Sequence, residues 1–68
     1  MKIKLVLTQS FENTFNDVKY YIYQFVDPQT LTILSYSSRE PVDTLQIGQT
    51  YTCTLGIKKT KLYVSSLN

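Results

Sequence analysis

Apolar and polar positions alternate with a period of two along most of this chain, the spacing of strands with one buried face. Residues 2–8 place Ile3, Leu5 and Leu7 on one side and Lys2, Lys4 and Thr8 on the other. Residues 18–26 (VKYYIYQFV) are apolar or aromatic on both sides, apart from Lys19 and Gln24. Residues 30–37 set Leu31 and Ile33 against Thr32, Leu34 and Tyr36. Residues 49–57 alternate most cleanly, with Tyr51, Cys53, Leu55 and Ile57 predicted inward and Thr50, Thr52 and Thr54 outward. Residues 60–66 close the series, with Leu62 and Val64 opposite Lys61 and Tyr63. Five strands are predicted.

The connections define how these strands pair. Asp27-Pro28-Gln29-Thr30 is a turn sequence: proline fixes φ and the aspartate can bond the turn backbone. It joins the second and third strands as a hairpin, and Lys58-Lys59-Thr60 joins the fourth and fifth tightly. Residues 9–17 read as a polar loop carrying Phe11 and Phe15, with room for one helical turn capped by Ser10 or Asn13. Residues 37–48 form a second long connection, in which Pro41 precludes a helix of normal length. From it Leu45 and Ile47 are expected to enter the core. This order predicts an all-β fold, a small five-stranded closed or partly open barrel, OB-fold-like, with residues 1–68 as one domain. Closure would hide the edges of short strands. An SH3- or Sm-like barrel is the alternative.

Composition narrows the chemistry. A chain of 68 residues buries only about 60% of its extended surface, which leaves an isolated monomer marginal and makes self-association an expected remedy. Cys53 is the only cysteine and histidine is absent, so neither a disulfide nor a structural zinc is available. The usual general base is missing, and Gly48 and Gly56 form no phosphate-cradling loop. The five carboxylates are scattered without metal-ligand spacing, so neither an enzyme nor a cofactor is expected. The apolar run near Met1 is too short for a signal peptide, and nothing approaches a membrane span. With its lone cysteine, the chain reads as cytoplasmic.

Two features carry a functional expectation. The ends of the chain hold Lys2, Lys4, Lys58, Lys59 and Lys61 with no acid, whereas residues 11–57 are net acidic despite Lys19 and Arg39. In an OB barrel the loop between strands four and five borders the ligand groove, within reach of a phosphate backbone. Lysines at chain ends and hairpin tips also serve solubility, and Arg39 has Glu40 and Asp43 as local partners. The second feature is aromatic density: six tyrosines and three phenylalanines, four of the nine within Tyr20-Tyr21-Ile22-Tyr23-Gln24-Phe25. If Val18, Tyr20 and Ile22 face inward, Lys19, Tyr21, Tyr23 and Phe25 form an outward row that Tyr36 and Tyr63 extend. Such rings stack on bases whatever the sequence. Tyrosine is equally a strand former and core filler, and a bulge would reverse the parity.

The run YYIYQFVDPQTLTILSYSS followed by LQIGQTYTCTLGIKKTKLYV resembles the small OB-fold single-stranded-DNA-binding proteins of phages and mobile elements. The resemblance spans residues 18–64 and is one of pattern. It implies a homodimer that coats single strands with little sequence preference. It also implies stacking by Tyr21, Tyr23 and Tyr36 and phosphate contacts by Lys58, Lys59 and Lys61. Two other partners stay open: single-stranded RNA, and a protein docked on the aromatic row or a sheet edge, as in a phage-encoded inhibitor of a host protein.

Overall fold

The computed structural model describes residues 2–67. Five strands are present: β1 (Lys2–Phe15), β2 (Val18–Val26), β3 (Ile33–Ser38), β4 (Thr50–Lys58) and β5 (Lys61–Leu67). They form one antiparallel sheet in the order β3-β2-β1-β4-β5. The all-β expectation and the strand count therefore hold. Among the described residues no helix is long and apolar enough to cross a membrane.

The stretch expected as a loop, 9–17, is instead the second half of β1. Its first half, Lys2–Val6, pairs with β4, and the strand then continues along β2 as far as Phe15↔Val18. A bulge at Thr8 shifts the register between Leu7 and Gln9. The Thr8 hydroxyl donates to the Gln24 carbonyl at 3.1 Å beside it. Because one residue is inserted, the inward set changes from odd to even positions. Ile3, Leu5 and Leu7 face the concave side, and beyond the bulge Ser10, Glu12 and Thr14 do. Phe11 and Phe15 are carried to the convex face.

Two tight turns complete the hairpins with non-glycine residues at positive φ. Asn16 and Asp17 (φ 50° and 62°) link β1 to β2, and Lys59 and Thr60 (φ 49° and 68°) link β4 to β5. Positive φ at both central residues matches the right-handed strand twist. It is costly for a β-branched side chain. Thr60→Gly is therefore expected to stabilise the fold by about 0.5–1 kcal/mol, the relief of left-handed strain less the extra entropy of glycine in the unfolded chain. A thermal melt would show a rise of a few degrees, and a lower midpoint would contradict the assignment. The Asp27 turn forms as expected: its carboxylate accepts from the Gln29 N–H at 2.9 Å and its carbonyl from the Leu31 N–H at 2.7 Å.

The core is Leu5, Leu7, Tyr23, Phe25, Leu34, Cys53 and Val64. The facing of β2 is the reverse of the expected one. Tyr23 and Phe25 are 7% and 0% exposed and lie inside, with Tyr21 packed against them, while Val18, Tyr20 and Ile22 turn outward. Pairing decides this: Phe25 lies opposite Leu7 and Leu34, both buried, so the whole inner set of β2 follows. Burial pushes the Cys53 thiol above its ordinary pKa.

The long connection is pinned by two phenols. The Val42 N–H donates to the Tyr23 hydroxyl at 2.8 Å, and the Gln46 N–H to the Tyr51 hydroxyl at 2.7 Å. Val42 and Leu45 pack against the core as this connection passes over it. Ile47, expected to join them, is 63% exposed. Ile57 is also exposed, because β4 runs past the core into its hairpin.

The sheet curls until its two edge strands meet. β3 and β5 both run antiparallel to their neighbours and hence parallel to one another, with Cα atoms within 8 Å. The hydrogen-bond ladder does not close between them. Neither is there space for another strand, which would need edges roughly 9–10 Å apart.

Candidate nucleic-acid interface

The open seam between β3 and β5 is a groove. One lobe, about 520 Å³, lies between Ile33 and Ser35 of β3 and Lys58, Lys59, Lys61, Leu62 and Tyr63 of the second hairpin. A second lobe of about 390 Å³ shares Ser35, Lys58 and Tyr63 and continues past Tyr36, Ser37 and Ser65. The groove therefore has a basic end, an aromatic wall and a row of serine hydroxyls.

Its lysines owe their positions to the two-residue turn. Lys58 and Lys61 form the closing cross-strand pair. Like charges directly opposite one another destabilise a sheet. Among the described residues the only ion pair is Lys19 with Glu12, at 3.2 Å, so no acid relieves Lys58, Lys59 or Lys61. The ammonium groups stand exposed around the mouth of the groove.

Tyr63 is held by an absence. It lies opposite Gly56, and a Cβ added there would come within 2.7 Å of the ring. The hydroxyl end of the phenol thus lies over Gly56, with 40% of the residue exposed. Gly56→Ala is expected to lift this ring and weaken oligonucleotide binding several-fold, since one base stack is worth about 1–3 kcal/mol. Altered Tyr63 ring resonances with unchanged affinity would remove Tyr63 from the site.

The structure brings together five of the nine residues nominated from sequence: Tyr36, Lys58, Lys59, Lys61 and Tyr63 line the groove. Tyr36 is half-buried, its ring 6.3 Å from that of Tyr23 and tilted by 32°. The other four lie elsewhere. Tyr23 is a core residue, so the outward stacking role expected of it is corrected: its ring is enclosed and its hydroxyl bonded to the long connection. Tyr21 faces the same inner side, and Lys19 caps it, with Nζ 5.4 Å from the ring centroid. The Glu12 carboxylate, by hydrogen bond and charge, holds the Lys19 ammonium above its ordinary pKa. Arg39 is exposed just beyond the end of β3 and makes no ion pair with Glu40 or Asp43. It stands about 20 Å along β3 from the lysine hairpin.

Sequence reasoning missed the serines of the groove and the convex aromatic residues Phe11, Phe15 and Tyr20. For the latter a signal existed. Gln9, Phe11, Asn13 and Phe15 alternate up to Asn16-Asp17, a residue pair suited to positive φ. Among the described residues no group of His, Cys, Asp and Glu is arranged to hold a metal ion. No protein-family model, curated protein or solved structure matches this chain.

Proposed function

We propose that this protein is a non-enzymatic, OB-like module that binds single-stranded DNA, with little sequence preference, in the groove between β3 and β5. The observation that carries the reading is the meeting of Lys58, Lys59 and Lys61 with the half-exposed Tyr63 in one groove. The ammonium groups have no ion-pair partner among the described residues, and a phosphate backbone supplies the missing counter-charge. Tyr63 offers a face to unpaired bases, Tyr36 lines the groove from its half-buried place beside Tyr23, and serine hydroxyls reach sugar and phosphate. Support for the barrel class is the strand order with β3 and β5 brought side by side. Such a module acts in the cytoplasm, with RNA as the alternative strand.

Titration of labelled oligo-dT tests this. With three phosphate contacts, affinity falls roughly 20-fold between about 50 and 200 mM salt, from a slope of log affinity against log salt of about 0.7 per contact. Absence of salt-sensitive binding to any single-stranded DNA or RNA overturns the proposal.

A second reading, a protein-binding barrel, rests on the apolar residues that stay exposed, among them Phe15 (66%) and Ile33 (64%). Charge-poor aromatic patches resemble interface centres. Under this reading the lysines are dispensable to the main interaction.

A further inference from the structure

The second half of β1 is an edge that nothing among the described residues covers. Only Lys2–Val6 pairs with β4, and backbone bonds from Leu7 to Gly48 and Gln49 end that side. From Gln9 to Phe15 the strand is bonded on its β2 side alone. The two-residue turn fixes which groups point outward. Its closing pair, Phe15↔Val18, must be a hydrogen-bonded pair, so Asn13, Phe11 and Gln9 also bond to β2. Ser10, Glu12 and Thr14 therefore present their N–H and C=O groups to the open side.

Protected edges carry lysine, proline or a bulge. This one has none beyond Thr8, and its single charge, Glu12, is already taken up by Lys19. Phe11 and Phe15 stand beside it on the convex face, 39% and 66% exposed. The area is also suggestive of an occupant of definite size. The chain exposes 5073 Å², whereas a compact monomer of its mass exposes about 4,400 Å². The excess, about 670 Å² over the whole surface, is of the same order as the roughly 800 Å² that each partner buries in a standard interface.

We infer that the Gln9–Phe15 edge pairs antiparallel with the same edge of a second copy, across a two-fold axis at Asn13. This register sets Phe11 opposite Phe15 of the partner subunit, twice over, on the convex face. Glu12 meets Thr14 of the partner subunit through the outward-pointing backbone groups. The register centred on Glu12 would instead oppose two carboxylates, which sheets disfavour. The result is a continuous ribbon, β2-β1-β1-β2, made independently of the groove and of any nucleic acid.

Sedimentation of the purified protein at tens of micromolar, without oligonucleotide, gives twice the chain mass if the edge pairs. Thr14→Pro removes an edge N–H without touching the β2 ladder and yields a monomer of unchanged circular dichroism. Phe11→Asp with Phe15→Asp provides the same test without a backbone change. In a Cys53→Ala background, Asn13→Cys forms a disulfide-linked dimer on mild oxidation, because the axis holds the two Cα atoms about 4.5 Å apart. A wild-type monomer, or a dimer indifferent to the phenylalanine and proline variants, overturns the inference. A dimer that Asn13→Cys fails to cross-link overturns the register.

Discussion

Replacing Lys58 and Lys59 together by glutamate is expected to abolish measurable oligonucleotide binding while leaving the sheet folded. Both residues are exposed at the hairpin end, where substitutions ordinarily shift stability by no more than about 0.5 kcal/mol. The double change removes two phosphate contacts and places two like charges against the strand. Affinity at low salt falls by at least about 100-fold, and the slope of log affinity against log salt becomes shallower by about 1.4. The single change Lys58→Glu makes a sharper test. It puts a carboxylate opposite Lys61, converting a repulsive cross-strand pair into an attractive one worth about 0.2–1 kcal/mol. The protein should thus melt higher and bind worse. A variant that binds as well as the parent would show that these lysines serve solubility alone, and would favour the protein-binding reading.

The second large effect concerns folding. Phe25 is fully buried, lies opposite Leu7 and Leu34, and meets the Tyr51 ring edge-on at 6.3 Å and 85°. Phe25→Ala is expected to cost about 3–5 kcal/mol through lost transfer energy and the remaining cavity. A domain of this size has only about 3–10 kcal/mol in all. Urea titration followed by circular dichroism should show a midpoint near zero denaturant, or a chain already unfolded at 25 °C. Retention of more than half the parent stability would mean that the core collapses around the gap or that β2 faces the other way. Tyr23→Ala belongs with this experiment, because its ring is core and its hydroxyl anchors Val42.

Sequence alternation located β2, β3, β4 and β5 to within a few residues because each is bounded by turn residues or a change of polarity. It lost half of β1 for a physical reason. Beyond Thr8 the strand leaves the core, both of its faces are largely solvated, and polar residues then give no burial signal. The facing of β2 was illegible for the complementary reason: a strand apolar on both sides fits either parity. Only its cross-strand partners Leu7 and Leu34 settle the matter, and they are distant in sequence. The groove lysines were legible as a charge cluster. Ser35, Ser37 and Ser65 were not, since their meeting depends on how far the sheet curls.

The extra residue at Thr8 holds the projecting arm in phase with β2 although the alternation along the strand's own sequence changes there. Deleting it would make Leu7↔Phe25 and Gln9↔Gln24 consecutive pairs, so the faces of Gln9 to Phe15 would stay as they are and only the bend of the bulge would be lost. A strand that kept all of its residues but paired without the bulge would instead turn both phenylalanines to the hollow side and Glu12 away from Lys19.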